Sequence, residues 1–135
     1  MRDETKIWLE YANENLASAQ VLLDHGLFNP CLQNAQQAVE KMLKALLIES
    51  GGKARRTHSI AELITVLAQA GWNTGVTDDE ADLLDSIYLP SKYPLGSVLP
   101  DFEPDREICA RCIDIASRLR ESVTRLMTGE MENTE

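Results

Sequence analysis

The chain has only two histidines, so the acid–base chemistry open to its side chains is quickly enumerated. His58 follows the basic run Lys53-Ala54-Arg55-Arg56. An imidazole beside guanidinium groups suits a phosphate or a nucleobase, although a solvated loop whose histidine bonds to backbone fits the same residues. His25 stands just before Gly26 at the end of an apolar-periodic segment, where an imidazole can meet exposed helix carbonyls. Neither histidine forms a metal pair. Cys109-Ala110-Arg111-Cys112 lacks the second pair or nearby histidine that would complete four zinc ligands, so these thiols and Cys31 read as small core hydrophobes. No metal or cofactor is expected.

Two further polar groupings stand out. Gln33, Gln36, Gln37, Glu40, Lys41 and Lys44 recur at helical spacings of three and four, and Glu40 with Lys44 makes an i,i+4 pair of favourable orientation. This strip is either a solvated, salt-bridged face or a set of polar groups that find partners in the protein or a ligand. The stretch YLPSKYP, Tyr88 to Pro94, concentrates tyrosines and prolines, which suits both an ordinary break between helices and a stacking surface. No glycine-rich phosphate loop, helical HExxH or nucleophile elbow is present.

The elements that must position these groups are all helical, because apolar residues recur at helical spacing throughout and no sustained alternation suggests a strand. The first helix, from about Glu4 to Leu23, presents Trp8, Ala12, Leu16, Ala19 and Leu23, widened by Leu9 and Leu22. Asn29-Pro30 reads as an N-cap and first helical position of a second helix that runs to about Ser50 and stops at Gly51-Gly52. Its core stripe is Leu32, Ala35, Val39, Met42, Leu43 and Leu46. Ser59-Ile60-Ala61-Glu62 and Thr77-Asp78-Asp79-Glu80 read as capping boxes opening a third helix, which ends before Gly71, and a short fourth that Pro90 must stop. The proline-rich connection from Leu89 to Glu103 is an irregular crossover. A last helix from near Pro104 carries Ile108, Cys112, Ala116, Leu119, Val123 and Leu126, a seam long enough to serve both a core and a dimer interface.

Composition narrows the setting. A hydrophobic share of 44% with 26% charged residues is that of a soluble globular protein, and no apolar run approaches the ~18 residues of a membrane span. The charged N-terminus does not resemble a signal peptide, so the expected location is cytoplasmic. A net charge of -9 disfavours indiscriminate, backbone-driven nucleic-acid binding but allows a local basic patch. The expected organisation is a single helical domain over residues 1–128 with a disordered tail at 129–135.

Several segments in order resemble one known family. QNAQQAVEKMLKALLIESGG, then HSIAELI after a short basic loop, then Tyr88 and the KYP of Lys92 to Pro94, look like the HEPN domain (higher eukaryotes and prokaryotes nucleotide-binding). WLEYANENLASAQVLLDHGLF also fits, and the likeness extends from roughly Ile7 to Leu126. It implies an up-and-down bundle of four main helices plus a short fifth, commonly dimeric and associated with nucleotides or RNA. Prokaryotic members are often encoded beside a minimal nucleotidyltransferase, some pairs behaving as toxin and antitoxin. Carried over residue by residue, it points to Gln37, Glu40, Lys41 and Lys44 on the second helix, to His58, and to Tyr88, Lys92 and Tyr93.

Members that cleave RNA share an arginine shortly before a histidine near the start of the last long helix. Here no histidine follows His58, so that motif is absent. Where relatives carry arginine before the Tyr-Pro pair, Lys92 keeps the charge but not the bidentate fork. The resulting expectation is a non-catalytic module rather than an enzyme, homodimeric, that binds a nucleotide or partners a minimal nucleotidyltransferase. In it Lys44, Arg55, Arg56 and Lys92 neutralise phosphate, Tyr88 or Tyr93 stacks on a base, Gln37 and His58 hydrogen-bond to it, and Lys41 completes the surface. The alternative is a metal-independent ribonuclease using His58 with a basic cluster.

Overall fold

The computed structural model describes residues 1–88 and 103–129. Within them the regular elements are five α-helices: α1 (Asp3–Asp24), α2 (Phe28–Glu49), α3 (Ile60–Gln69), α4 (Asp78–Tyr88) and α5 (Arg106–Thr128). The expected all-α bundle is the observed one, with three long helices and two short. Lys92 and Tyr93, the proline-rich crossover up to Phe102 and all but the first residue of the expected tail lie outside the described residues.

α2 organises the rest, packing against each of the other four helices and most extensively against α1. Its sequence explains why, since besides the expected stripe it buries Ala38, Ala45, Leu47 and Ile48, so apolar surface reaches nearly all round. A helix of that kind must be covered on every side. Ala12, Leu16, Ala19 and Leu23 of α1 supply one cover, with Trp8, Leu9 and Leu22 half-buried beside them. Ile60, Leu63 and Leu67 of α3 and Ala81, Leu84 and Ile87 of α4 supply others. On α5 the buried stripe is Cys109, Cys112, Ile115, Ala116, Leu119 and Val123, which leaves Ile108 and Leu126 half-buried at the ends of the expected seam.

The local signals at helix ends held in part. Gly51, at φ 94°, closes α2, and the N–H of Gly52 reaches back to the Leu47 carbonyl at 2.9 Å. A left-handed residue is needed there, and glycine adopts it without a Cβ clash. His25 meets a helix carbonyl as expected, its Nδ1 lying 2.8 Å from the Val21 oxygen. The start of α2 needs correction: Leu27, not Asn29, is the N-cap residue, and it makes no side-chain cap bond. Pro30 therefore occupies the third helical position. That is physically permitted, because none of the first four N–H groups of a helix has an intrahelical partner to lose.

Thr77 and Glu80 form both halves of their capping box, at 3.0 and 3.1 Å. Ser59 forms only half of its own. Its Oγ accepts from the Glu62 N–H at 3.2 Å, but its own N–H donates to Thr57 Oγ1 at 3.1 Å rather than to the Glu62 side chain. Asp105 caps α5, its Oδ1 accepting from the Ile108 N–H at 2.8 Å. No helix of the described residues is long and apolar enough to cross a membrane.

Candidate functional site

The polar strip of α2 is not a solvated face. Gln36, Glu40 and Lys44 are buried, and their groups answer one another. Lys44 Nζ donates to Glu40 Oε2 at 3.1 Å, Gln36 Nε2 to Glu40 Oε1 at 3.3 Å, and Gln37 Nε2 to Gln36 Oε1 at 2.8 Å. The Lys44 ammonium also lies 5.7 Å from the centre of the Trp8 ring, a cation–π contact that ties the strip to α1. Lys41 reaches across the same seam, donating to Asn15 Oδ1 at 2.6 Å. Asn15 in turn donates to Asn34 at 2.9 Å, so a polar ladder runs along the α1–α2 interface. Buried polar groups must find partners, and here the protein provides them.

Glu40 has one more neighbour, and it comes from the loop between α2 and α3. His58 Nδ1 lies 3.1 Å from Oε2 and 3.3 Å from Oε1. Its ring is stacked on Tyr88 at the end of α4, with centroids 4.6 Å apart and planes inclined by 13°. The histidine bond is thus to a buried carboxylate, not to backbone. The imidazole is held on one edge and one face while 48% of its side chain remains open to solvent.

Asp85, three residues before Tyr88, completes the wall. It accepts from Ser59 Oγ at 3.1 Å, from the Ile60 N–H at 2.6 Å and from the Ala61 N–H at 3.2 Å. It thereby caps α3 from α4 and fixes the loop that carries His58. Together His58, Ser59, Asp85 and Tyr88 line an open cleft of about 370 Å³. Arg55 and Arg56 are exposed just upstream, Arg55 at 3.9 Å from Glu62.

Of the residues singled out in the sequence, the fold brings Gln37, Lys44, His58 and Tyr88 into one connected set through Gln36 and Glu40. Lys41 is drawn instead toward α1, and Lys44, expected at phosphate, is turned inward onto Glu40. Gln36 and Asp85 were not singled out as site residues. Gln36 carried the spacing signal of the strip, but Asp85 is 25 residues from Ile60 and left no local mark.

The cysteines are core groups, as expected. Burial pushes the thiols of Cys109 and Cys112 up to about 12, each further raised by a neighbouring cysteine, and burial also raises Cys31. Cys109 Sγ donates to the Phe28 carbonyl at 3.4 Å. No group of three or more metal-ligating side chains occurs among the described residues.

One family model matches the chain. The model of the HEPN domain matches residues 5–126. The chain is similar to TT1696 from Thermus thermophilus, whose crystal structure superposes with a TM-score of 0.75 at 30% identity, covering 92% of this chain and 98% of that one. It is also similar in fold to ST0689, an archaeal HEPN homologue, with a TM-score of 0.60 at 24% identity over 94% and 99% of the two chains. A search of curated proteins found no match.

Proposed function

The chain belongs to the HEPN domain family, and from that membership we propose that it is a non-catalytic nucleotide-binding module, acting as a homodimer beside a minimal nucleotidyltransferase. The observation that carries the binding part is the exposed imidazole of His58, anchored through Nδ1 to buried Glu40 and stacked on Tyr88. A side chain held on an edge and a face while half-open to solvent is preorganised for a planar ligand. The base meets the His58 edge and shares the Tyr88 ring face, while Arg55 and Arg56 neutralise the phosphate. Lys44 and Gln37 support the site from below through Glu40 and Gln36, while Lys41, bonded to Asn15, and Lys92 and Tyr93, outside the described residues, are carried into the proposal by family likeness alone. The dimer and the nucleotidyltransferase partner rest on the family alone.

Calorimetric titration with AMP, ATP and GMP tests the reading. Saturable heat is expected, weakened by added salt, by Arg55→Ala with Arg56→Ala, and by Tyr88→Ala. Absence of heat with every nucleotide at millimolar concentration removes it. Sedimentation of the free chain and co-purification with the product of a neighbouring nucleotidyltransferase gene test the assembly.

A second reading has one observation in its favour. A carboxylate accepting from Nδ1 of a solvent-facing imidazole is the arrangement a general base uses, so His58 could serve in a metal-independent ribonuclease. Labelled RNA left intact by the purified protein excludes it, as does cleavage that survives His58→Ala.

A further inference from the structure

The hydrogen-bonding sense of the His58 cleft follows from which of its groups already carry protons. Glu40 is paired with Lys44 at 3.1 Å, and a carboxylate so paired offers only lone pairs to its other neighbours. The Nδ1 atom 3.1 and 3.3 Å from its two oxygens must then be the protonated nitrogen. A neutral imidazole has a single N–H, so Nε2 is left as an acceptor.

Asp85 stands on the other wall. Its carboxylate is also an acceptor, and the hydroxyl of Ser59 spends its proton on it at 3.1 Å. The Asp85 carboxylate and the Ser59 hydroxyl are thus taken up with each other and with the N-terminus of α3, which leaves the bare Nε2 of His58 to set the sense of the cleft. A phosphate, itself a set of acceptors, is mismatched here and falls to the guanidinium groups upstream. An occupant bearing an N–H donor is matched.

We infer that this cleft reads the exocyclic amino group of a nucleobase, whether adenine, cytosine or guanine, through Nε2 of His58, and that Glu40 is the positioning residue that selects the tautomer able to do so. The inference rests on the nucleotide-binding reading above. It adds a donor requirement on the base and a role for a residue that never touches the ligand.

Two measurements test it separately from that reading. Long-range proton–nitrogen spectra of the free protein at pH 9, where imidazoles are in general neutral, should show His58 protonated at Nδ1 with a bare Nε2. This is the opposite of the form an isolated histidine prefers in water. Glu40→Gln, whose amide presents a donor as well as an acceptor, should shift His58 toward the other tautomer. An Nε2–H tautomer in the unaltered protein overturns the inference, whatever binds.

Calorimetry at the same pH then compares AMP with N6,N6-dimethyl-AMP, which has lost both amino protons. The unaltered protein should bind the dimethyl form about tenfold more weakly, the loss expected for one hydrogen bond to a half-exposed group. Glu40→Gln, checked for native helix content by circular dichroism, should narrow that ratio toward unity. Equal affinity of the unaltered protein for the two ligands overturns the donor requirement while nucleotide binding stands. No binding of either, with Nδ1 protonated, removes the nucleotide reading and the base reading with it, and leaves only the Glu40 tautomer control.

Discussion

The carboxylate of Asp85, near the end of α4, lies 2.6 Å from the backbone nitrogen of Ile60, the first residue of α3. It also accepts from the Ser59 hydroxyl and the Ala61 N–H, so one side chain satisfies a helix N-terminus from which it is 25 residues distant. Those N–H groups have no partner within their own helix. Asp85→Ala should therefore cost about 1–3 kcal/mol and lower the melting temperature by roughly 4–12 °C. Ser59→Ala should cost about 1 kcal/mol, the usual loss for one cap. Thermal unfolding followed by circular dichroism checks both, and an Asp85→Ala melting curve that overlays the unaltered one contradicts the assignment.

The Glu40–Lys44 pair is almost wholly enclosed, with side-chain exposures of 4% and 7%. Removing one member strands the other's charge in the interior, whereas removing both does not. Glu40→Leu alone should destabilise by about 3–5 kcal/mol, and Glu40→Leu with Lys44→Leu should recover most of that. Urea titrations of the two variants decide it. A double variant no more stable than the single would mean that the pair is not a closed unit.

The three thiols are buried, and those of Cys109 and Cys112 titrate at about 12. Only the thiolate attacks an alkylating agent, so at pH 8 on the order of one molecule in ten thousand presents the reactive form at either position. Iodoacetamide should leave the folded protein unmodified over minutes and label all three cysteines once guanidinium unfolds it. Mass spectrometry reads the difference, and rapid labelling of Cys109 or Cys112 in the native state would be the contrary result.

Glu80 links stability to acid. Burial acts to raise its carboxyl, but the Thr77 backbone N–H and the Arg118 guanidinium outweigh that and hold it below the ordinary value of 4.5. A depressed carboxyl stabilises the fold above its unfolded value, and the contribution is lost as pH falls through the folded one. Glu80→Gln should accordingly be less stable than the unaltered protein at pH 7, with the gap closing between about pH 5 and pH 3. Denaturant titrations at several pH values test this. A gap that stays constant through the acid range would remove Glu80 as its source.

Much of the frame was legible before any fold was seen, because its signals are local. A period near 3.6 in apolar residues, a serine or threonine three residues before a glutamate, and a glycine after the last apolar turn each act within one or two turns of chain. Ala12, Leu16, Ala19 and Leu23 on α1, the Thr77–Glu80 box and Gly51 were all readable for that reason. The start of α2 was misread because a proline suits more than one position of a first turn.

The candidate site was legible only as a set of unrelated pieces. The sequence alone determined the five helices, the Glu40–Lys44 pairing along one helix face, and the presence of His58 beside two arginines. Tertiary structure alone decided that Lys44 turns inward beneath Trp8, that Glu40 receives His58 from a loop 18 residues away, that His58 lies on Tyr88, and that Asp85 caps a neighbouring helix. The physical reason is that a charged strip at helical spacing is the same pattern whether water or another helix covers it. What covers α2 depends on the packing of α1, α3, α4 and α5 around it, and no spacing within α2 records that.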